Sequence, residues 1–284
     1  MLLLGCGANS PVKDSQSSSE GMKGYIESHQ FAEHVLNASP AEEKSFGQDI
    51  YDEKALDPNQ RFSQSAIEGR FITILRNLLP YVSAPRDEYR QESFYRVVLS
   101  GYPMLPGDPV NANSWPGGFL SFNSRLIKLM KNEAQLASIV AHEIGHIVER
   151  HSLQTIAREI RQQGNQKISP PLFKEIGSWF VDSFLDTHER REFEFEADNF
   201  AVNLLYASPY PAAEYIEAFK LISDERKLQG IPDHRSLFSS HPANWERIRN
   251  ITRQAKSKET DGIGTNHLEF HLFKCEHLPK ICSN

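Results

Sequence analysis

The chain has 284 residues with 31 basic and 37 acidic side chains, a formal net charge of -6, and no strongly basic segment, which argues against nucleic acid as a partner. No run of 18 apolar residues occurs, so no conventional membrane-spanning helix is expected. The length suffices for one large domain with a substantial core.

Taken in order, the chain begins Met1-Leu2-Leu3-Leu4-Gly5-Cys6. The Leu-Gly-Cys resembles the cleavage box of a bacterial lipoprotein signal, with Cys6 as the lipid-bearing residue, although a basic start and most of the apolar stretch are missing. Residues 1–24 therefore read as a signal remnant and a tether rich in Ser, Gly and Lys. Short helical pieces are expected around His29–Leu36. Within 62–79, Ile67, Phe71, Ile74, Leu75 and Leu78 recur at helical spacing until Pro80 ends the pattern. Aromatic and β-branched residues at 94–99 predict a strand, Gly and Pro mark 101–109 as loop, and a turn at Pro116-Gly117-Gly118 leads into a second short strand over 118–122. Asn123 or Ser124 caps a helix over 125–130, and a further helix starts near Glu133. Helices are also predicted at 153–161, 172–185, 189–206, 211–221 and 243–251, with loops at 162–171 and 234–242. Residues 25–255 form one predominantly helical α+β domain with a small sheet, and 256–284 a loose polar tail. In that tail Cys275 and Cys282 are close enough to close a small loop in an oxidising compartment. The neighbouring His267, His271 and His277 match no closed structural-zinc spacing.

The chemistry concentrates in Val140–His151, VAHEIGHIVERH. Residues four apart on a helix share a face, so His142 and His146 can offer ring nitrogens to one metal ion, and Glu143 can reach a water at the same ion. Leu136, Ile139, Val140, Ile144 and Ile147 supply an apolar stripe that buries this helix. The pattern is that of a zincin, with Zn²⁺ on two imidazoles and Glu143 as general base. His151 lies two and a half turns beyond His142 and points away from the ligand face.

A catalytic zinc usually takes three protein ligands and a water. Downstream, RREFEFEADNFAVNLL offers two acid pairs four apart, Glu194 with Asp198 and Glu192 with Glu196. Spacing alone does not choose between them. HEIGH followed by Glu194-Phe195-Glu196-Ala197-Asp198 resembles the HtpX and CAAX-prenyl-protease superfamily of zinc metallopeptidases, whose paired motifs are HExxH and ExxxD. Asn111-Ala112, Gly117-Gly118, Arg150-His151, Arg191, His241-Pro242 and Arg247 extend the resemblance over roughly 90–255. It implies His142, His146 and Glu194 as ligands of one Zn²⁺ per chain, with Asp198 orienting a ligating histidine. It also points to His241 as a catalytic group beside the oxyanion, and to Arg247 as support for the substrate or oxyanion.

The chain looks more like the compact soluble or lipid-anchored envelope members than the integral-membrane ones. The resemblance therefore implies an endopeptidase that acts on unfolded polypeptides in the quality control of a bacterial periplasm or outer membrane. The strand Gly118, Phe119, Leu120, Ser121 and Phe122 is expected at an exposed edge of the cleft, where an extended substrate could pair with it. Two other readings stand beside this one: a processing peptidase of narrow specificity, and a latent protease acting mainly as a chaperone or assembly factor.

Overall fold

A computed structural model describes residues 26–53, 63–101, 110–162, 164, 167–168, 191–228, 245–255 and 263–282. The elements run β1 (Ile26–Glu27), α1 (Ser28–Leu36), α2 (Pro40–Glu53), α3 (Ser65–Leu78), β2 (Arg96–Ser100), β3 (Ala112–Trp115), β4 (Phe119–Asn123) and α4 (Ser124–Leu129). They continue with α5 (Glu133–Val148), α6 (His151–Gln162), β5 (Lys167–Ile168), α7 (Arg191–Ala207), α8 (Ala213–Leu228), α9 (Trp245–Ala255) and α10 (His267–His277). The architecture is α+β and mainly helical, as expected. Cys6, His241 and the helix expected at 172–185 lie outside the described residues.

Two layers of helices enclose a three-stranded sheet of order β2-β4-β3. Side chains alternate between the faces of a strand. Leu99, Ala112, Leu120 and Phe122 accordingly point into the main core with Phe71, Leu75 and the apolar side of α5. Val98, Trp115 and Phe119 point the other way, into a second cluster with Phe31 and Val35 of α1, Ile50 of α2 and Leu153, Ile156 and Ile160 of α6. The stripe foreseen in α3 is all buried, from Ile67 to Leu78.

The expected substrate-pairing edge is overturned. β4 is the central strand, parallel to β2 and antiparallel to β3, and Gly118, Phe119, Leu120, Ser121 and Phe122 are all buried. The reason is local. Gly117 and Gly118 take φ of 74° and 84°, open to glycine, and the turn folds polar Ala112–Trp115 back along one side of β4. A Cβ on Gly117 would stand 2.3 Å from the Cα of Lys44, so α2 sits directly against this turn. Apolar Phe-Leu-Ser-Phe suits a strand covered on both faces better than an edge.

Glu43 clamps α2 to the end of α5. It is 1% exposed and meets Arg86 Nη1 at 2.8 Å, Arg150 Nε at 2.9 Å and the Tyr89 hydroxyl at 3.0 Å. Arg150 takes φ of 60°, which ends α5 and lets α6 turn away, while its guanidinium donates to the carbonyls of Leu36 and Ala38.

The loose tail is also corrected. Phe270 and Leu278 are 3% and 1% exposed and join the main core, and Asn266 caps α10 by accepting from Glu269 N at 3.0 Å. Its apolar residues do not fall on one clean helical stripe, so the pattern reads as polar. Cys275 and Cys282 are joined by a disulfide. Just ahead of α10, the Gly264 carbonyl accepts from Ala134 N at 2.9 Å, and the side chains of His267 and Asn132 meet at 3.2 Å.

Lys274 fixes the other end of α10. Its Nζ donates to the carbonyls of Lys128 at 2.9 Å and Met130 at 2.6 Å, where α4 ends. Burial first, then the charges of Lys131 and Lys128, push its pKa down to about 8 from an ordinary 10.5. Between those values the unfolded chain holds more protons than the folded one, so the penalty for burying the ammonium is complete below pH 8 and relieved as pH rises toward 10.5. Urea unfolding at pH 7.5 and 10.5 should show the stability of the native protein relative to Lys274→Met rising by about 1–3 kcal/mol. A pH-independent difference between the two proteins would contradict this.

Candidate metal centre

α5 starts at Asn132, whose side chain accepts from Gln135 N at 2.8 Å. Its first turn is fixed by Glu133, which pairs with Arg70 at 2.7 Å and accepts from the Tyr210 hydroxyl at 2.8 Å. α7 crosses α5 at Gly145, the fourth residue of HEIGH. A Cβ there would come within 3.1 Å of Ala197 Cα and 3.2 Å of the Phe200 ring, so the glycine permits the close approach that brings Glu194 over the two histidines.

The ligand atoms converge at this crossing. His142 Nε2 and His146 Nε2 are 3.0 Å apart. Glu194 Oε2 is 3.7 Å from the first and Oε1 3.5 Å from the second. A tetrahedral zinc with bonds of about 2.0–2.1 Å separates its ligand atoms by about 3.3 Å. The three observed spacings bracket that value, and two imidazoles with one carboxylate are a donor set that zinc accepts. His142, Glu143 and Glu194 are 0% exposed and His146 is 2% exposed. His142, His146 and Glu194 thus form a cluster that fits Zn²⁺, whereas in the other His/Cys cluster among the described residues, His271 with Cys275 and Cys282, both sulfurs are tied up in the disulfide.

Around this centre, ring orientation is set by acceptors. Asp198 Oδ1 lies 3.2 Å from His142 Nδ1, and the Tyr215 hydroxyl lies 2.9 Å from the same nitrogen while donating to Asp198 Oδ1 at 2.7 Å. A proton on His142 Nδ1 leaves its Nε2 lone pair for the metal. Burial opposes the charge of Asp198. The Arg247 guanidinium, and hydrogen bonds from Arg247 and His142, outweigh burial and hold the carboxyl below its ordinary range. Burial and the Asp198 charge push the Tyr215 phenol far up, so it remains a donor.

Arg247, expected to support the substrate or oxyanion, lies in the core beside the ligands. It is 0% exposed and donates to Asp198 from Nε and Nη2, both at 2.7 Å, while Nη1 contacts Glu194. Two carboxylates one turn apart on α7 bring this cation into the core, where it bridges Glu194 and Asp198. Its guanidinium lies 5.2 Å from the centre of the Phe219 ring.

Two further contacts were not visible in the sequence. Tyr215 arrives from α8, where nothing in the pattern separates it from an ordinary core aromatic. The direction expected of His151 holds only for one continuous helix, but α5 ends at Val148 and Arg150 takes φ of 60°, so His151 opens α6 with its Nδ1 2.9 Å from His146 Nδ1 and its Nε2 2.9 Å from Glu196 Oε2. The acidic stripe Glu192/Glu196 was the only hint of that partner. Burial holds the His151 pKa below the usual imidazole value against the pull of Glu196.

A buried His-Glu-x-x-His helix, crossed at its glycine by a helix that contributes the third ligand, is the core of a zinc metallopeptidase fold. The chain belongs to peptidase family M48, whose sequence pattern matches residues 90–255. Among individual proteins, it is 24% identical over 232 residues to a Vibrio cholerae protein named as a beta-barrel assembly-enhancing protease, covering 74% of this chain and 47% of that one. It is 24% identical over 147 residues to the mitochondrial metalloendopeptidase OMA1 of Saccharomyces cerevisiae, covering 50% and 43%. It is 25% identical over 158 residues to metalloprotease YcaL of Escherichia coli, covering 53% and 60%. The chain therefore spans about half the length of the first two.

Proposed function

We propose that the protein is a zinc-dependent endopeptidase that hydrolyses peptide bonds in unfolded or extended polypeptides. The observation that carries this reading is the convergence of His142, His146 and Glu194 at tetrahedral spacing beside Glu143. These three side chains would hold the ion. When bound, zinc acts as a Lewis acid that acidifies a water and polarises the scissile carbonyl. Glu143 takes the proton from the attacking water and returns it to the leaving amine. Asp198 keeps the proton of His142 on Nδ1, and Arg247 keeps Asp198 and Glu194 in position. His241 is proposed as a further donor to the oxyanion.

The cell envelope is the proposed location. In support, one relative is named for the assembly of β-barrels. Lipidation at Cys6 would attach the domain to that surface. The burial of all three ligands and of Glu143 favours a second reading, in which the resting protein is latent until its centre is uncovered.

The test is metal content and cleavage of an unfolded protein by purified protein prepared without chelator. About one zinc per chain together with endoproteolytic fragments is the expected result. Zinc without cleavage would favour the latent reading, and absence of zinc would remove the basis of both.

A further inference from the structure

We propose that Glu196 and His151 form a positioning relay that keeps the proton of His146 on Nδ1 and so frees its Nε2 for a metal ion. The inference rests on the metal reading of the site. His151 is 0% exposed and stacks on Phe193 with ring centres 4.3 Å apart and planes 14° from parallel, so its ring has one orientation. A carboxylate only accepts hydrogen bonds, and Glu196 Oε2 lies 2.9 Å from His151 Nε2, so that nitrogen carries the proton. The two Nδ1 atoms stand 2.9 Å apart and hold one proton between them, so with its own proton on Nε2 the His151 ring presents its Nδ1 lone pair to His146. His146 must donate there, which leaves its Nε2 lone pair directed at His142 Nε2 and Glu194.

Each ligating histidine is thus oriented by its own acidic residue on α7, and the two acids differ in access. Asp198 is 0% exposed, whereas the Glu196 side chain is 54% exposed and lines an open cavity of about 620 Å³ with Glu149, Asn199 and Phe200. One half of the ligand set is therefore controlled from the protein surface. Without Glu196, His151 can hold its proton on Nδ1 and donate to His146. That inversion places the His146 proton on Nε2, where it blocks ligation.

The experiment compares wild type, Glu196→Ala, Glu196→Gln and Glu192→Ala by zinc competition against a chromophoric chelator. Histidine ¹⁵N spectra of the metal-free proteins read the tautomer directly. Glu196→Ala should bind zinc about 10- to 100-fold more weakly and show His146 partly protonated at Nε2. Glu196→Gln retains an acceptor oxygen and should recover most of the affinity. Added acetate, entering the cavity, should rescue Glu196→Ala and leave wild type unchanged. Glu192→Ala removes an exposed acid from the same helix and should behave as wild type. Wild-type zinc affinity in Glu196→Ala, or equal weakening in Glu196→Gln, would overturn the relay while leaving the metal site intact. A wild type that takes up no zinc would overturn the metal reading itself.

Discussion

Glu143→Gln is expected to retain zinc at wild-type stoichiometry and to lose peptide hydrolysis by about two to four orders of magnitude. The substitution keeps the shape of a side chain that is 0% exposed, so neither α5 nor the ligand spacing should change. What disappears is the only carboxylate on α5 beside both ligands, and with it the acceptor for the proton of the attacking water. In kinetic terms the loss should fall on kcat, with KM little altered, because Glu143 acts as the proton moves and not in holding the polypeptide. Metal analysis beside initial cleavage rates checks both halves. Loss of zinc from Glu143→Gln would make Glu143 part of the ligand set, and undiminished cleavage would place the proton acceptor elsewhere.

The second large effect is on stability. Arg247→Met should destabilise the metal-free protein by about 3–5 kcal/mol, the usual result of removing one member of a buried ionic group. The guanidinium is 0% exposed and bonds Asp198 twice at 2.7 Å, with a further contact to Glu194. Its removal strands two carboxylates one turn apart in a dry environment. Adding Asp198→Asn to Arg247→Met should return part of the loss, because one of the two stranded charges is then gone. Zinc should narrow the gap, since a bound cation partly replaces the missing one. Denaturant unfolding with and without zinc measures each difference. A change below about 1 kcal/mol in the metal-free protein would mean that the ion pair is a surface-type contact, contrary to its burial.

The two histidines and Glu143 were legible because a helix of period 3.6 turns sequence spacing into geometry. Glu194 and Glu196 were not separable that way. The structure uses both, on opposite sides of the crossing with α5, one facing the ligand atoms and the other facing His151. Arg247 was legible as a residue of the site but its partners were not, because only the fold shows that it faces Asp198 and Glu194 from inside. Tyr215 left no signal at all, since a phenol in a core helix looks like any other buried aromatic. The strand at 119–123 was readable as a strand, but its neighbours depend on where Ala112–Trp115 folds, and Ala-Asn-Ser-Trp carries little β propensity to announce it.

The contacts made ahead of and within α10 tie the C-terminal segment to the helices around the site. The Gly264 carbonyl completes the first turn of the helix that carries both histidines, and Lys274 ties off the helix before it. Residues 90–255, which carry the family pattern, therefore do not contain everything that holds their own central helix in place. A recombinant fragment cut to those bounds would keep every ligand and lose the brace at the start of the helix that presents two of them. Its metal affinity would then report on a frayed helix end rather than on the centre. For this protein the chemical motif and the mechanical support lie in different parts of the chain, and any minimal version has to include both.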